Sequence, residues 1–311
     1  QYVLDVAVLP TEELSFADLV VVDADVVVPA TAASGETIRV TWTTGNFGAV
    51  PTPAGEDVWV DRVVLSVNDR YGDADDIELG QLTHTGALGV GERYAVAAVL
   101  DVMLPKGMGG AYYILIKTDI TNRVREFIFE ENNVGVPRLI EIVVTPTADL
   151  EAGSVTSSSS QYAAGGPATI EWSVTNRGVG VTGDGTPVGE VASWVDWIVF
   201  SPNAVFGDGD EVLMQEVPHT GLLTAGGGYT GSWSGLLPAG LNGVFHVFVM
   251  VDGADAVYEG ADASANVVER VGTVMVSAQP FVDLVVSGVV APTSGASGLA
   301  IEIQWQVTNQ G

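Results

Sequence analysis

The chain has 311 residues, of which 47% are hydrophobic, and its 39 acidic and 11 basic residues give a formal net charge of −28. The hydrophobic fraction excludes a disordered chain, and the acidic surface excludes nucleic acid as a partner because it repels phosphate. Without cysteine there is no thiol catalysis and no cysteine-based metal site. No apolar run approaches the ~18 residues that a spanning helix needs, so we expect no membrane insertion in this segment.

Residues 1–16 begin with an apolar run that resembles the ends of the later units. We therefore interpret them as the last strand of a preceding unit. Residues 17–145 and 146–280 are two β-sandwich repeats, and residues 281–311 supply the first strands of an incomplete third repeat. A fixed long period of this kind is typical of a domain array.

Each repeat carries the motif Trp-x-x-x-Asn-x-Gly, which starts at Trp42, Trp172 and Trp305. The residues before each Trp alternate between apolar and polar, which indicates a strand with one buried face. We expect all three Trp side chains to lie in a core, and the Asn and Gly to form a turn. Short β-branched strands between glycine turns predict an all-β fold of tandem immunoglobulin-like sandwiches of about 130 residues.

An acidic loop follows the next strand in both complete repeats. It contains Gly-Asp-x-Asp followed by a third acid, and glycine loops can bring carboxylates together around Ca²⁺. The flanking helices and terminal Glu of an EF-hand are missing, and a solvated turn whose Asp side chains accept backbone N–H groups is the alternative. The candidate calcium ligands are Asp69, Asp73, Asp75 and Asp76 in the first loop and Asp208, Asp210 and Glu211 in the second.

A second acidic set lies on a predicted hairpin near the end of each repeat. A polar hairpin is the favoured interpretation there, with calcium as the alternative. The set comprises Asp119, Glu126, Glu130 and Glu131 in the first repeat and Asp252, Glu259 and Asp262 in the second.

Two pairs of ring side chains are further candidate sites. His84 and His219 occupy the same position in the two repeats, and we predict that both are structural hydrogen-bonding residues. Trp197 and Trp233 occur only in the second repeat. They form a candidate contact patch for a protein or a sugar, and the alternative is that both pack on the sandwich.

The order of these landmarks resembles the CARDB repeats, the cell-adhesion-related domain found in bacteria. The resemblance rests on the Trp motif, on the strand 61–66 (Asp-Arg-Val-Val-Leu-Ser), on Leu104 to Gly110, and on the late Asp119, Glu126 and Asn132-Asn133. It covers two repeats and the start of a third. It implies a β-sandwich module of large bacterial surface or secreted proteins, and it does not imply a shared ligand.

The sequence therefore predicts a non-enzymatic structural or adhesive segment of a long extracellular or cell-surface bacterial protein, such as an adhesin stalk, filament or sheath. Expected partners are neighbouring repeats or copies of itself in an extended assembly, and a surface glycan or protein. Calcium is the one cofactor expected. The alternative is a carbohydrate-binding or accessory region of a secreted enzyme, which the Trp residues unique to the second repeat favour.

Overall fold

A computed structural model describes residues 15–94, 97–260 and 266–311. The predicted final strand of a preceding unit, within residues 1–16, therefore lies outside the described residues except for Ser15 and Phe16. The described chain is all-β, as predicted, and its one helix is a 3-10 turn at Asp23–Asp25. No helix in this part of the chain is long and apolar enough to cross a membrane.

The chain divides into two compact units. Unit 1 extends to Ala148 and also includes Val179–Val191 and Tyr258–Gly260. Unit 2 comprises Asp149–Gly178, Ala192–Val257 and the described residues from 266 onward. Each unit builds its own pair of sheets, as a sandwich requires.

The described part of unit 1 contains nine strands, which are rich in β-branched and other apolar residues. They are β1 (Leu19–Val21), β2 (Thr31–Ala33), β3 (Thr37–Trp42), β4 (Thr44–Asn46), β5 (Val58–Ser66), β6 (Ile77–Thr85), β7 (Ala98–Met103), β8 (Gly110–Lys117) and β9 (Arg138–Val143).

Five of these strands form the larger sheet of unit 1, in the order β2-β9-β8-β5-β6. All its neighbours are antiparallel except β2 and β9, which run parallel. The pairs β1-β4 and β3-β7 form the other layer. The two layers pack on each other because each contributes fully buried side chains to one core, including Leu19, Val40, Val63, Ile114 and Ile140.

Unit 2 repeats this plan. Its strands are β10 (Leu150–Ser157), β11 (Gln161–Ala163), β12 (Pro167–Asn176), β13 (Ser193–Ser201), β14 (Val212–Thr220), β15 (Gly228–Leu236), β16 (Gly243–Met250), β17 (Val267–Glu269) and β18 (Val274–Ser277). The larger sheet has the order β11-β18-β16-β13-β14, with β17 also pairing β16, and the other sheet is β10-β12-β15. The short strand β11 again runs parallel to the last strand, β18.

The two units even share a local irregularity. The pairing of β5 with β6 shifts register between Val63 and Val64. The pairing of β13 with β14 shifts between Ile198 and Val199, at the matching place. A bulge kept at the same position re-aims the following residues, which here lead into the acidic loops.

The third repeat contributes one hairpin, β19 (Leu284–Val290) with β20 (Gln304–Asn309). Trp305 on β20 is 62% exposed, whereas Trp42 and Trp172 are 0% and 2% exposed. The expectation that all three Trp residues are buried therefore holds for the first two only. A single two-stranded sheet has no opposing layer that could cover the Trp305 indole.

Candidate functional site

The first acidic loop connects β5 to β6 and is organised by Asn68. The Asn68 Nδ2 donates to Asp73 Oδ2 and to Asp75 Oδ1, both at 3.0 Å. Gly72 N donates to Asp76 Oδ2 at 2.6 Å, and the Gly72 backbone has a φ of 94°, a conformation that favours glycine. As a result Asp73, Asp75 and Asp76 each place a carboxylate oxygen within 4.8 Å of the other two.

The second acidic loop connects β13 to β14 and has the same internal bonding. Asn203 Nδ2 donates to Asp208 Oδ2 at 2.9 Å and to Asp210 Oδ2 at 2.7 Å. Gly207 N donates to Glu211 Oε1, as Gly72 N does to Asp76, and Gly209 N donates to Glu211 Oε2 at 2.9 Å. Asp208, Asp210 and Glu211 again bring one oxygen each within 4.8 Å of the others.

The sequence prediction included Asp69 in the first loop, and the structure does not bring it into this cluster. Asp69 is exposed, and the described carboxylates that converge are the three later ones. The matching position in the second loop is Ala204, so the shared arrangement needs no acid there.

Carboxyl groups this close shift each other's titration. In the first loop the Asp73 carboxyl lowers the pKa of Asp75. In the second, the Asn203 amide lowers the pKa of Asp208, while desolvation and then the Asp208 carboxyl raise the pKa of Asp210. Opposite shifts within a pair are typical of two carboxyl groups close enough to share one proton.

A second type of carboxylate site lies inside each sandwich, and sequence reasoning assigned it no role. In unit 1 the buried Asp61 Oδ2 accepts from Trp42 Nε1 at 2.8 Å and from the Tyr94 hydroxyl at 2.7 Å. Its Oδ1 accepts from Thr118 Oγ1 at 2.6 Å and from Asp119 N at 3.3 Å. Burial raises the pKa of Asp61, and these donors oppose the shift.

Unit 2 builds the same network around Asp196. Its Oδ2 accepts from Trp172 Nε1 at 2.8 Å and from the Tyr229 hydroxyl at 2.5 Å, and Oδ1 accepts from Asp252 N at 3.2 Å. Burial again raises the pKa of the carboxyl group. The position of Thr118 is taken by Val251, so this carboxylate lacks the hydroxyl donor.

The two repeated histidines pack beside these networks. His84 lies 4.2 Å from Trp59 and 4.0 Å from Tyr94 between ring centroids. His219 lies 4.1 Å from Trp194 and 4.0 Å from Tyr229. Each Nε2 is within hydrogen-bonding distance of the carbonyl oxygen two residues later, and burial lowers the pKa of His84.

The acidic residues of the late hairpins differ in burial and in hydrogen bonding. Asp119 accepts from Arg123 N at 2.8 Å and Val124 N at 2.7 Å, and its φ of 43° lies in the left-handed region. Asp252 makes the equivalent bonds in unit 2. Glu126 is fully buried, Glu131 is exposed, and Asp262 lies outside the described residues.

The two Trp residues unique to the second repeat do not share a sheet. Trp197 lies on β13 and Trp233 on β15, which belong to different sheets, and both are half-buried. The Trp197 ring lies against the backbone of Gly253, where a Cβ atom would come within 2.4 Å of the ring. The structure therefore places them as two separate half-buried rings, and a cavity of about 300 Å³ borders Trp197, Phe206 and Met250.

Two solved structures of one domain are similar to this chain. The crystal structure of the CARDB domain of the PF1109 protein in complex with di-metal ions, from Pyrococcus furiosus, is 20% identical, covers 42% of this chain and 96% of that chain, and has a TM-score of 0.30. A solution NMR structure of the same domain is 21% identical, covers 42% of this chain and 99% of that chain, and has a TM-score of 0.29. The all-β sandwich fold expected from the sequence is confirmed by the strand order of both units, and the CARDB domain is what this chain resembles.

A more distant similarity is to red sea bream transglutaminase, at 11% identity and a TM-score of 0.24. That match covers 85% of this chain and 31% of the transglutaminase. No family model and no curated protein matches the chain. Likeness at these identities concerns the fold alone, and function must be argued from the residues.

Proposed function

We propose that this chain is a non-enzymatic structural and adhesive segment of a long extracellular bacterial protein, acting as an adhesin stalk, surface filament or sheath component. The observation that supports it is that the two units repeat both an interior feature and a surface feature. The two units share a buried network, centred on Asp61 and Asp196, and also share a surface loop. Arrays that extend by stacking similar units repeat both interior and surface in this way.

In this proposal the acidic loops bind calcium. Calcium ligands lie about 2.3–2.6 Å from the ion, so two oxygens on one ion are up to ~5 Å apart. The oxygens of Asp73, Asp75 and Asp76 already satisfy that spacing. A bound ion neutralises the repulsion within each loop and fixes the turn between two long strands.

The partners in this proposal are neighbouring repeats or copies of the chain in an extended assembly, together with a surface glycan or protein. Electron microscopy of the intact source protein tests the structural role. We expect a long, thin particle or fibre. A compact monomer with a single catalytic pocket would contradict the proposal.

Thermal unfolding with and without chelator tests the calcium role. A ligand at 100 times its Kd stabilises the native state by about 2.7 kcal/mol, so excess chelator should lower the Tm of the wild type by several degrees. The triple variant D73N/D75N/D76N should lose the part of this shift that belongs to unit 1. The control is Asp69→Asn, which removes an acid from the same loop outside the cluster. A chelator-insensitive wild type would remove calcium from the proposal.

A carbohydrate-binding role is the second candidate, and the cavity beside Trp197 favours it. The ring is half-buried, and its Nε1 has no hydrogen-bond partner among the described residues. A glycan array with the wild type and Trp197→Ala tests this role. Binding that disappears in the variant supports it, and an absence of binding in both proteins leaves the structural role standing.

A further inference from the structure

The hairpin that follows β8 buries a carboxylate with one oxygen unused. Glu126 is 0% exposed, and its Oε1 accepts from Leu19 N at 2.8 Å. Its Oε2 is buried and makes no hydrogen bond to any described residue. A buried polar atom without a partner calls for a physical explanation, such as a bound ion.

Two further side chains of the same hairpin also have buried polar atoms without a hydrogen-bond partner among the described residues. Glu130 Oε1 accepts from Glu126 N at 2.9 Å, which brings its carboxylate next to Glu126. Its Oε2 is buried and unpartnered among the described residues, and so are both side-chain amide atoms of the fully buried Asn133. The Asn133 side chain lies near enough to the Glu126 carboxylate to influence its pKa.

Protonation alone does not resolve this arrangement. Burial raises the pKa of Glu126 to about 8, and the charges of Glu130 and Asp119 add to the shift. A proton on Oε2 could be shared with Glu130, but one negative charge and the Asn133 amide oxygen would remain uncompensated. A cation would compensate both carboxylates and use the free amide oxygen at the same time.

We propose that a calcium ion binds unit 1 between the carboxylates of Glu126 and Glu130, with the side-chain oxygen of Asn133 as a further ligand. Only oxygen ligands are offered, as a hard divalent cation prefers. Backbone carbonyls and water complete the shell.

This site is distinct from the acidic loops and does not depend on their occupancy. The first acidic loop follows the end of β5, and the hairpin follows the end of β8. Because β5 and β8 are antiparallel neighbours, the two lie at opposite ends of the sheet. The corresponding hairpin of unit 2 includes residues 261–265, outside the described part of the chain, and the proposal concerns unit 1 alone.

Calorimetric titration of the full chain with CaCl₂ tests the proposal in a background that lacks all three clustered carboxylates of each acidic loop, D73N/D75N/D76N/D208N/D210N/E211Q. We expect Glu126→Gln to lower the number of bound ions by one per chain relative to that background. The control is Glu131→Gln, which removes the same charge from an exposed position nearby and should leave the number unchanged. The difference in the number of bound ions between the wild type and the background measures binding at the acidic loops. The proposal for the acidic loops and the proposal for the hairpin can therefore fail independently.

An unchanged ion count in a folded Glu126→Gln variant overturns the proposal and indicates instead a proton shared between Glu126 and Glu130. Circular dichroism establishes folding before the titration. If Glu126→Gln does not fold, the half-buried Glu130→Gln decides the question, because it removes a ligand with less disturbance of the core. Loss of the ion in that variant supports the site, and retention with unchanged affinity overturns it.

Discussion

The two sandwiches hold the same buried carboxylate with different numbers of donors. Asp61 accepts from three side chains and one backbone N–H, whereas Asp196 accepts from two side chains and one backbone N–H. The missing donor is the Thr118 hydroxyl, which Val251 replaces. The rest of the constellation, including the Trp and Tyr partners, is the same.

The network of unit 2 borders a surface cavity. Asp196 lines a surface cavity of about 270 Å³ together with Trp172, His219 and Tyr229. Both carboxylates are nevertheless 1% exposed, so the difference in donors is not matched by a difference in exposure. The comparison teaches that two side-chain donors and one backbone N–H are enough to hold a buried carboxylate in this fold, and that the Thr118 hydroxyl adds a further donor in unit 1.

The largest expected effect comes from removing each carboxylate. Asp61→Ala leaves three buried side-chain donors without an acceptor, and Asp196→Ala leaves two. Each orphaned donor costs about 1–3 kcal/mol, so both variants lose several kcal/mol and Asp61→Ala loses more. Urea unfolding followed by Trp fluorescence measures both losses. The exposed Asp69→Ala serves as the control, with no measurable loss, and equal losses in the two core variants would contradict the comparison.

A smaller effect is expected from exchanging the one residue that differs. Thr118→Val removes a hydroxyl that donates to a buried charged group, so we expect the free energy of unfolding to fall by about 1.5–3 kcal/mol. Val251→Thr is the reciprocal variant, and it should cost less because the new hydroxyl finds Asp196 as an acceptor. The same urea experiment reports both. A Thr118→Val protein as stable as the wild type would show that the hydroxyl contributes nothing.

The smallest expected effect is the pH dependence of the stability lost in Thr118→Val. Burial raises the folded-state pKa of Asp61 above its unfolded value of about 3.9, so stability falls as pH rises through the interval between the two values. Without the Thr118 hydroxyl the folded pKa rises further and the interval widens. The deficit of Thr118→Val should therefore be larger at pH 7 than at pH 4, as measured by urea unfolding at both values. A deficit that is the same at both pH values would contradict this assignment.

Much of this architecture follows from local patterns in the sequence. Alternation before Trp42 and Trp172 predicts the strands and their buried faces, because side-chain direction in a strand has a period of two. The same phase places Asp61 on the inward face with Trp59 and Val63. The strand pattern therefore predicts that the Asp61 carboxylate is buried. It does not predict the hydrogen-bond partners of Asp61, because Tyr94 and Thr118 are 33 and 57 residues away in the sequence.

Other features depend on contacts that no local pattern contains. Trp305 has the same motif as Trp42, yet its burial depends on an opposing sheet rather than on its own strand. In the acidic loop, sequence counts four Asp residues, but Asn68 selects which of them converge by donating to Asp73 and Asp75 and not to Asp69. Likewise, no local pattern shows that Trp197 and Trp233 lie on different sheets, because the sheet to which a strand belongs is set by long-range strand order.

The parallel pairing of β2 with β9, and of β11 with β18, has a mechanical consequence. In each unit an early strand is joined directly to the last one, through the pairs Thr31 to Glu141 and Ala33 to Val143 in unit 1. Tension applied along the chain pulls these two strands past each other, so their hydrogen bonds are sheared together rather than unzipped one at a time. We expect each unit to resist stretching in force spectroscopy. Ala32→Pro should lower the rupture force of unit 1. Rupture at the same force as the wild type would show that the hydrogen bonds between β2 and β9 do not resist the pull.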